Sequence, residues 1–133
     1  MDAPLVSFEL KEKYLLVVGH GKRDNLLSMV EASEQIYQKI IETNCHHLLV
    51  DYRNLEINVH LNEAFNIVKR YETTQPELKK IIIAAVFTKK GLDFGMYWKE
   101  IGMKKGFHIS IFEDIDIAEK WLETEFEING LDT

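Results

Sequence analysis

The segment His47-Leu48-Leu49-Val50-Asp51-Tyr52 decides the predicted fold, because it is an apolar run of strand length that ends on a carboxylate. It lies between two segments of helical periodicity and is followed by the polar pair Arg53-Asn54, so it predicts a buried central β-strand and then a loop. In open α/β sheets, ligands bind just beyond the carboxyl ends of such strands. We therefore expect any functional chemistry near Asp51, although no motif in the chain specifies a reaction.

The segments on both sides of this strand predict the rest of the sheet. Residues 6–10 and 14–18 alternate around a short polar turn and predict an antiparallel hairpin. Residues 81–87 are apolar throughout and predict an interior strand covered on both faces. Residues 108–112 alternate and predict an edge strand, whereas residues 55–60 are interpreted as a loop.

Four helices are predicted between and after these strands from apolar periodicity and capping residues. They begin at Asp24 or Asn25, at Leu61, at Leu92 and at Asp114, and the first three end near Asn44, before Pro76 and at Gly106. The apolar positions that mark the second helix, and so its predicted buried face, are Leu61, Ala64, Phe65 and Val68, with Tyr71 left open. The element order predicts a single α/β domain over residues 1–133, with a mixed, mainly parallel sheet and an N-terminal hairpin.

Composition limits the classes of partner. The chain has 133 residues, 46% of them hydrophobic, and a formal net charge of -6, which fits one soluble domain and argues against binding to nucleic acid or an anionic membrane surface. No apolar run approaches the ~20 residues of a transmembrane helix, and the N-terminus has no signal-peptide pattern. The single cysteine, Cys45, fits a reducing compartment. We predict a cytoplasmic protein.

Catalytic and metal sites are not indicated. Cys45-His46-His47 invites a metal interpretation, but adjacent residues in an extended segment point to opposite faces, so we interpret the cluster as the entry to a strand. Candidate acid-base groups near the strand ends are Asp51, His60, Asp93 and Glu113. General acid-base catalysis needs two such groups within hydrogen-bonding reach, which spacing along the chain does not establish. No serine lies in a nucleophile-elbow context. The chain is predicted to be a non-enzyme without a cofactor.

The third predicted helix carries more large apolar side chains than one buried stripe can hold. These are Leu92, Phe94, Met96, Tyr97, Trp98, Ile101 and Met103. Aromatic and methionine enrichment is typical of partner interfaces and of apolar ligand grooves. The alternative is that all of them pack beneath the neighbouring loop and the last helix, and the sequence leaves both interpretations open.

The element order and the C-terminal segment resemble a known group. Ile109-Ser110-Ile111-Phe112-Glu113-Asp114, followed by Ala118 and Trp121-Leu122, resembles the ending of SpoIIAA-like proteins, a bacterial group related to the STAS domains of anti-sigma factor antagonists and to Sec14-type lipid-binding domains. Anti-sigma factor antagonists carry a phosphorylated serine or threonine after the central strand, in an Asp-Ser/Thr-Ser-Gly type of motif. This chain has Asp51-Tyr52-Arg53-Asn54 there, so only the aspartate matches, and the usual phosphoacceptor is missing.

Two hypotheses about function follow. The first is a non-catalytic regulatory module that binds a protein partner or a second copy of itself as a homodimer. The second is a carrier or sensor for a small apolar or anionic, lipid-like ligand, held between the third helix and the sheet with Arg53 or Lys89 at the mouth. The residues predicted for the ligand or partner surface are Asp51, Tyr52, Arg53, Lys89, Phe94, Met96, Tyr97 and Trp98.

Overall fold

A computed structural model describes the backbone of residues 5–131 and the side chains of residues 5–128. The remaining residues at both ends lie outside this description. In chain order the elements are β1 (Val6–Leu10), β2 (Leu15–Gly19), β3 (Lys22–Arg23), α1 (Leu26–Thr43), β4 (His47–Asp51), β5 (Glu56–Ile57), α2 (Asn62–Thr74), β6 (Ile82–Val86), α3 (Leu92–Lys104), β7 (His108–Phe112) and α4 (Ile115–Leu131), with short 3₁₀ turns at Pro76–Lys80 and Lys89–Gly91.

The main sheet has five strands in the order β1-β2-β4-β6-β7. β1 and β2 pair antiparallel, and every other neighbouring pair is parallel. The strand at His47–Asp51 is central, β6 is interior and β7 lies at an edge, so the predicted α/β class, hairpin and strand positions are confirmed. In the register of the sheet, Val50 lies between Val17 and Ala85, which explains the apolar character of this segment.

The two faces of the sheet are covered unequally. Helices α1, α2 and α3 cover one face and contact Leu48, Val50 and Ile83. On the other face, α4 packs against the sheet through Ala118 and Leu122. Successive side chains of a strand point to opposite faces, so a strand that is apolar throughout, such as β6, is needed where both faces are covered.

Capping residues set the helix ends as the sequence predicts. The Asn25 side chain accepts a hydrogen bond from the backbone N–H of Ser28 at 2.9 Å and begins α1. Asn44 ends α1 in the left-handed conformation, with φ of 53°. The Asp114 carboxylate accepts hydrogen bonds from the first backbone N–H groups of α4. Each cap satisfies backbone groups that the helix itself leaves unpaired.

Two glycines bring α3 close to the sheet. A Cβ at position 95 would lie 2.8 Å from the Phe87 ring, and a Cβ at position 102 would lie 2.6 Å from the end of the Ile109 side chain. Both glycines are on the buried side of α3, together with Phe94, Trp98 and Ile101. The absence of a side chain at these two positions therefore sets the distance between this helix and strands β6 and β7.

Two details of the sequence-based prediction are wrong. Residues 55–60 are not only a loop, since β5 pairs in parallel with β3 and places Arg23 opposite Ile57. Two-residue strands are too short to show an alternating pattern. Leu61 and Phe65, predicted to be buried, are 44% and 45% exposed. Ile67 takes the inward position on α2 instead, about 200° around the helix from Phe65.

Candidate functional site

Asp51 and Arg53 form an ion pair at the carboxyl end of the central strand. The Arg53 guanidinium donates from Nε and Nη2 to the two Asp51 carboxylate oxygens, each at 2.9 Å, and the Arg53 backbone N–H donates to Oδ1 at 3.1 Å. The side-chain hydrogen bonds from Arg53 lower the pKa of Asp51, against the opposing effect of its burial. The backbone N–H and the guanidinium of Arg53 together engage both carboxylate oxygens. This carboxylate is therefore charged and its oxygens are engaged locally.

A cavity of about 70 Å³ lies between the sheet and helices α1–α3. Its wall is mainly apolar and includes residues from the sheet, from all three helices and from the segment after β4. The lining residues are Arg23, Met29, Ser33, Ile36, Leu48, Val50, Tyr52, Leu55, Ile57, Ile67, Tyr71, Leu78, Ile83, Phe87, Phe94 and Trp98. Such a volume exceeds the ~15 Å³ that one water molecule needs, so the cavity has room for a small guest.

Five polar side chains interrupt the apolar wall of the cavity, and one of them, Ser33, donates a hydrogen bond to Gln75 at 2.8 Å. Arg23 is 3% exposed, and its guanidinium is held by backbone carbonyls. Burial raises the pKa of Tyr52 and, together with the neighbouring Tyr52, the pKa of Tyr71, so both phenols keep their protons at neutral pH. The Trp98 indole donates toward Tyr71 and opposes part of the latter shift. The cavity is thus apolar with hydrogen-bond donors in its wall.

The Tyr52 ring is held in place by a glycine and by other aromatic rings. A Cβ at position 19 would lie 2.6 Å from Cδ1 of Tyr52, so only glycine at the end of β2 leaves room for this ring. The Tyr52 and Phe87 rings meet edge to face with centroids 5.5 Å apart, and Phe87 meets Trp98 at 6.4 Å. These contacts fix the wall of the cavity from β2 across to α3.

A second feature is an exposed apolar surface on the outer side of α2 and α3, which we call the α2–α3 surface. Its members are exposed by 36–56% and comprise Leu61, Phe65, Met96, Tyr97 and Met103. All of them except Phe65 line one shallow groove, together with Asp93, Lys99, Glu100 and Lys104. Met96 and Met103 are seven residues apart and so share one side of α3.

The eight residues predicted for one surface fall in three places. Asp51 and Arg53 lie at the carboxyl edge of the sheet, and Lys89 is exposed on the turn before α3. Tyr52, Phe94 and Trp98 line the cavity. Met96 and Tyr97 belong to the α2–α3 surface. The third helix is therefore divided, with one side in the core and the other exposed.

Sequence reasoning missed Arg23 and Tyr71 as cavity residues. The expected cations at the mouth were Arg53 and Lys89, and neither lines this cavity. Arg23 and Lys22 form a basic pair directly after a glycine-containing turn. Such a pair is typical of a solvated surface. Only the pairing of β3 with β5 turns its side chain inward. No local signal in the sequence distinguishes it from the exposed Lys22.

Two further properties concern the described residues. Among residues 5–128, no group of three or more histidine, cysteine, aspartate or glutamate side chains is arranged to hold a metal ion. Within the described part of the chain, no helix is both long and apolar enough to cross a membrane. His46 is exposed and His47 is buried, in agreement with the expected alternation at the start of the strand.

Comparisons with known proteins identify the fold. No protein-family model and no curated protein matches the sequence. Among solved structures, an anti-sigma factor antagonist from Mycobacterium paratuberculosis is 17% identical with a TM-score of 0.59, and the match covers 92% of this chain and 98% of that one. An uncharacterized protein of the DUF3478 family with a SpoIIAA-like fold, from Shewanella loihica PV-4, is 17% identical with a TM-score of 0.57 and the same coverage. The chain therefore has the SpoIIAA-like fold that its sequence predicts.

Proposed function

We propose that this chain is a non-catalytic regulatory module that binds a protein through the α2–α3 surface. The observation that carries the proposal is the exposure of Leu61, Phe65, Met96, Tyr97 and Met103 on two adjacent helices. Contiguous apolar surface on a folded domain is costly to leave in water and commonly marks an interface. The ion pair of Asp51 with Arg53 supports a non-catalytic function, because it engages the carboxylate nearest the expected reaction site.

The partner we propose is a second copy of the chain. The lining of the groove carries both signs of charge, with Asp93 and Glu100 as anions and Lys99 and Lys104 as cations, and Glu100 pairs with Lys104 within the chain. In an isologous interface the same patch meets itself, so a rim of mixed sign lets each cation of one copy face an anion of the other. An apolar centre with such a polar rim has the usual composition of a protein interface.

Native mass spectrometry and sedimentation of the Met96→Glu variant test this proposal. We expect the wild-type chain to be dimeric and the variant to be monomeric with an unchanged melting temperature, because Met96 is exposed in the single chain. Ile41→Glu is the matched control, since Ile41 is 53% exposed on α1, outside the groove, and its variant should remain dimeric. A monomeric wild type, or a dimeric Met96→Glu variant, would contradict the proposal.

A second candidate function is that of a carrier or sensor for a small ligand. The cavity beneath α3 favours it, because Phe94 and Trp98 line the cavity while Met96 lies on the opposite side of the same helix and is exposed. A ligand that moved α3 would therefore alter the α2–α3 surface as well. This function predicts that the freshly purified protein, or the protein given a suitable ligand, carries extra mass that is lost on denaturation.

A further inference from the structure

Arg23 is a buried cation that has no carboxylate partner among the described residues. Its guanidinium donates to the backbone carbonyls of His20 and Leu5, each at 2.8 Å, and more weakly to that of Lys22 at 3.4 Å. All three acceptors are neutral. Buried charges in proteins are normally paired with an opposite charge, because desolvation of an isolated ion is costly. The carbonyl oxygens satisfy donors of Arg23 but leave its charge without a counter-ion.

The half-buried phenols of Tyr52 and Tyr71 add hydrogen-bond donors to the wall of the cavity. Neither the Tyr52 nor the Tyr71 hydroxyl has a hydrogen-bond acceptor within residues 5–128, although both residues line the cavity. Tyr52 lies within the electrostatic influence of Arg23, and burial keeps it protonated, so it cannot supply the missing negative charge. One region of the cavity therefore presents the Arg23 cation and the Tyr52 phenol with no anion facing them.

The rest of the cavity determines the size and polarity of its guest. The volume of about 70 Å³ is roughly half that of the ~150 Å³ apolar cavity that can hold benzene. The remaining wall is apolar, and Met29, Leu55 and Ile57 are only partly buried where they line it. A guest a few carbons long fits the interior, and a longer tail can extend between these three side chains.

We propose that the cavity binds a small monocarboxylate with an unbranched apolar body, whose carboxylate is the counter-ion of Arg23 and accepts a hydrogen bond from Tyr52. This inference rests on the second proposed function, ligand binding in the cavity, and adds the chemical class of the ligand and the residue that selects it. A carboxylate is favoured over a neutral acceptor because its negative charge balances the positive charge of the desolvated guanidinium. The neutral backbone carbonyls do not supply that charge.

The test compares hexanoate with hexanamide, which has nearly the same shape and no charge. Binding is followed by the fluorescence of Trp98 in a Trp121→Phe background, since Trp121 packs on the opposite face of the sheet. We expect hexanoate to bind at least about tenfold more tightly than hexanamide, as charge-assisted hydrogen bonds in a desolvated site predict. Arg23→Met should abolish this preference, and Tyr52→Phe should weaken hexanoate binding about fivefold. Arg53→Met is the matched control and should leave both affinities unchanged.

The Tyr52→Phe variant and the comparison of the two ligands on unsubstituted Arg23 keep the proposal testable if Arg23→Met does not fold. Equal binding of acid and amide would overturn the assignment of Arg23 while leaving ligand binding in place. Loss of the preference in Arg53→Met would overturn it as well. Binding of neither compound, together with no retained mass in native mass spectrometry, would overturn both this inference and the carrier function.

Discussion

The two faces of the sheet are packed in different ways. The face covered by α4 has a small core in which Leu49, Ala84, Val86, Ala118 and Leu122 are at most 1% exposed. The face covered by α1–α3 has a larger core that encloses a cavity with a buried arginine and two half-buried tyrosines in its wall. Close packing stabilises a fold, whereas a cavity beside a buried cation without a counter-ion costs stability and is retained where something binds.

The largest expected difference between the two faces concerns the removal of a leucine. Leu122→Ala should lower the free energy of unfolding by about 3–5 kcal/mol, because a fully buried side chain leaves a cavity in a closely packed core. Leu78→Ala should cost about 2–3 kcal/mol, since Leu78 already faces the cavity and has fewer contacts to lose. Urea unfolding of both variants measures the two losses in the free energy of unfolding. Equal losses would show that the residues around the cavity are packed as closely as those on the α4 face.

A smaller difference is expected when one methylene group is added to each face. Val86→Ile should destabilise the fold by about 1–3 kcal/mol, because Val86 is fully buried on the α4 face and the extra group overpacks its surroundings. Val50→Ile, on the neighbouring strand, places the same group in the cavity and should be neutral or stabilising by up to about 0.8 kcal/mol. Thermal unfolding of the pair provides the measurement. A destabilised Val50→Ile variant would argue against usable space near Val50.

The smallest expected effect is a pH dependence of stability that comes from a histidine on the α4 face. Burial lowers the pKa of His47, and the neighbouring His46 lowers it further, against the opposing influence of Glu125. The unfolded chain therefore takes up a proton near pH 6.5 that the folded chain accepts only at lower pH, so stability is full above this value and falls on acidification. Denaturant unfolding of His47→Gln between pH 7 and pH 5 should show a weaker dependence than the wild type. If the wild type and the variant lose the same free energy of unfolding over this pH range, His47 is not the source of the pH dependence.

Asp51 contributes a pH dependence of stability in a separate, more acidic range. Its pKa is lowered by Arg53, so the stabilisation from this ion pair is complete above the ordinary aspartate pKa and is lost as pH falls through the lower, folded value. By contrast, Arg23 on the other face remains charged throughout both ranges. Acid unfolding therefore reports mainly on the α4 face and the carboxyl edge of the sheet.

Much of the fold could be predicted because its signals are local. Asn25, Asn44 and Asp114 cap helices through hydrogen bonds to nearby backbone groups, and Gly106 ends α3 with a φ of 92°. The uninterrupted apolar run of β6 indicates two covered faces, and that burial is observed. Such features depend on residues within a few positions of each other, so the sequence displays them directly.

The candidate site was less predictable because its residues are brought together by long-range packing. Crowding on the third helix indicates that its apolar side chains cannot share one stripe. Which side is buried depends on Gly95 and Gly102 meeting β6 and β7, and Phe94 and Trp98 are directed inward as a result. Leu61 and Phe65 were placed on the wrong side of α2 for a related reason, since Ile67 and Val68 fill the space against the core.

The sequence by itself determined the α/β class, the order of the elements, the central strand and the helix boundaries, because apolar periodicity and capping act over a few residues. Only the tertiary structure decided that Arg23 is buried, since its inward direction comes from the pairing of β3 with β5, in which Arg23 lies opposite Ile57, 34 positions along the chain. The cavity likewise exists only where side chains from separate elements fail to fill the space between them. Packing of distant segments, which no local pattern encodes, created the candidate site.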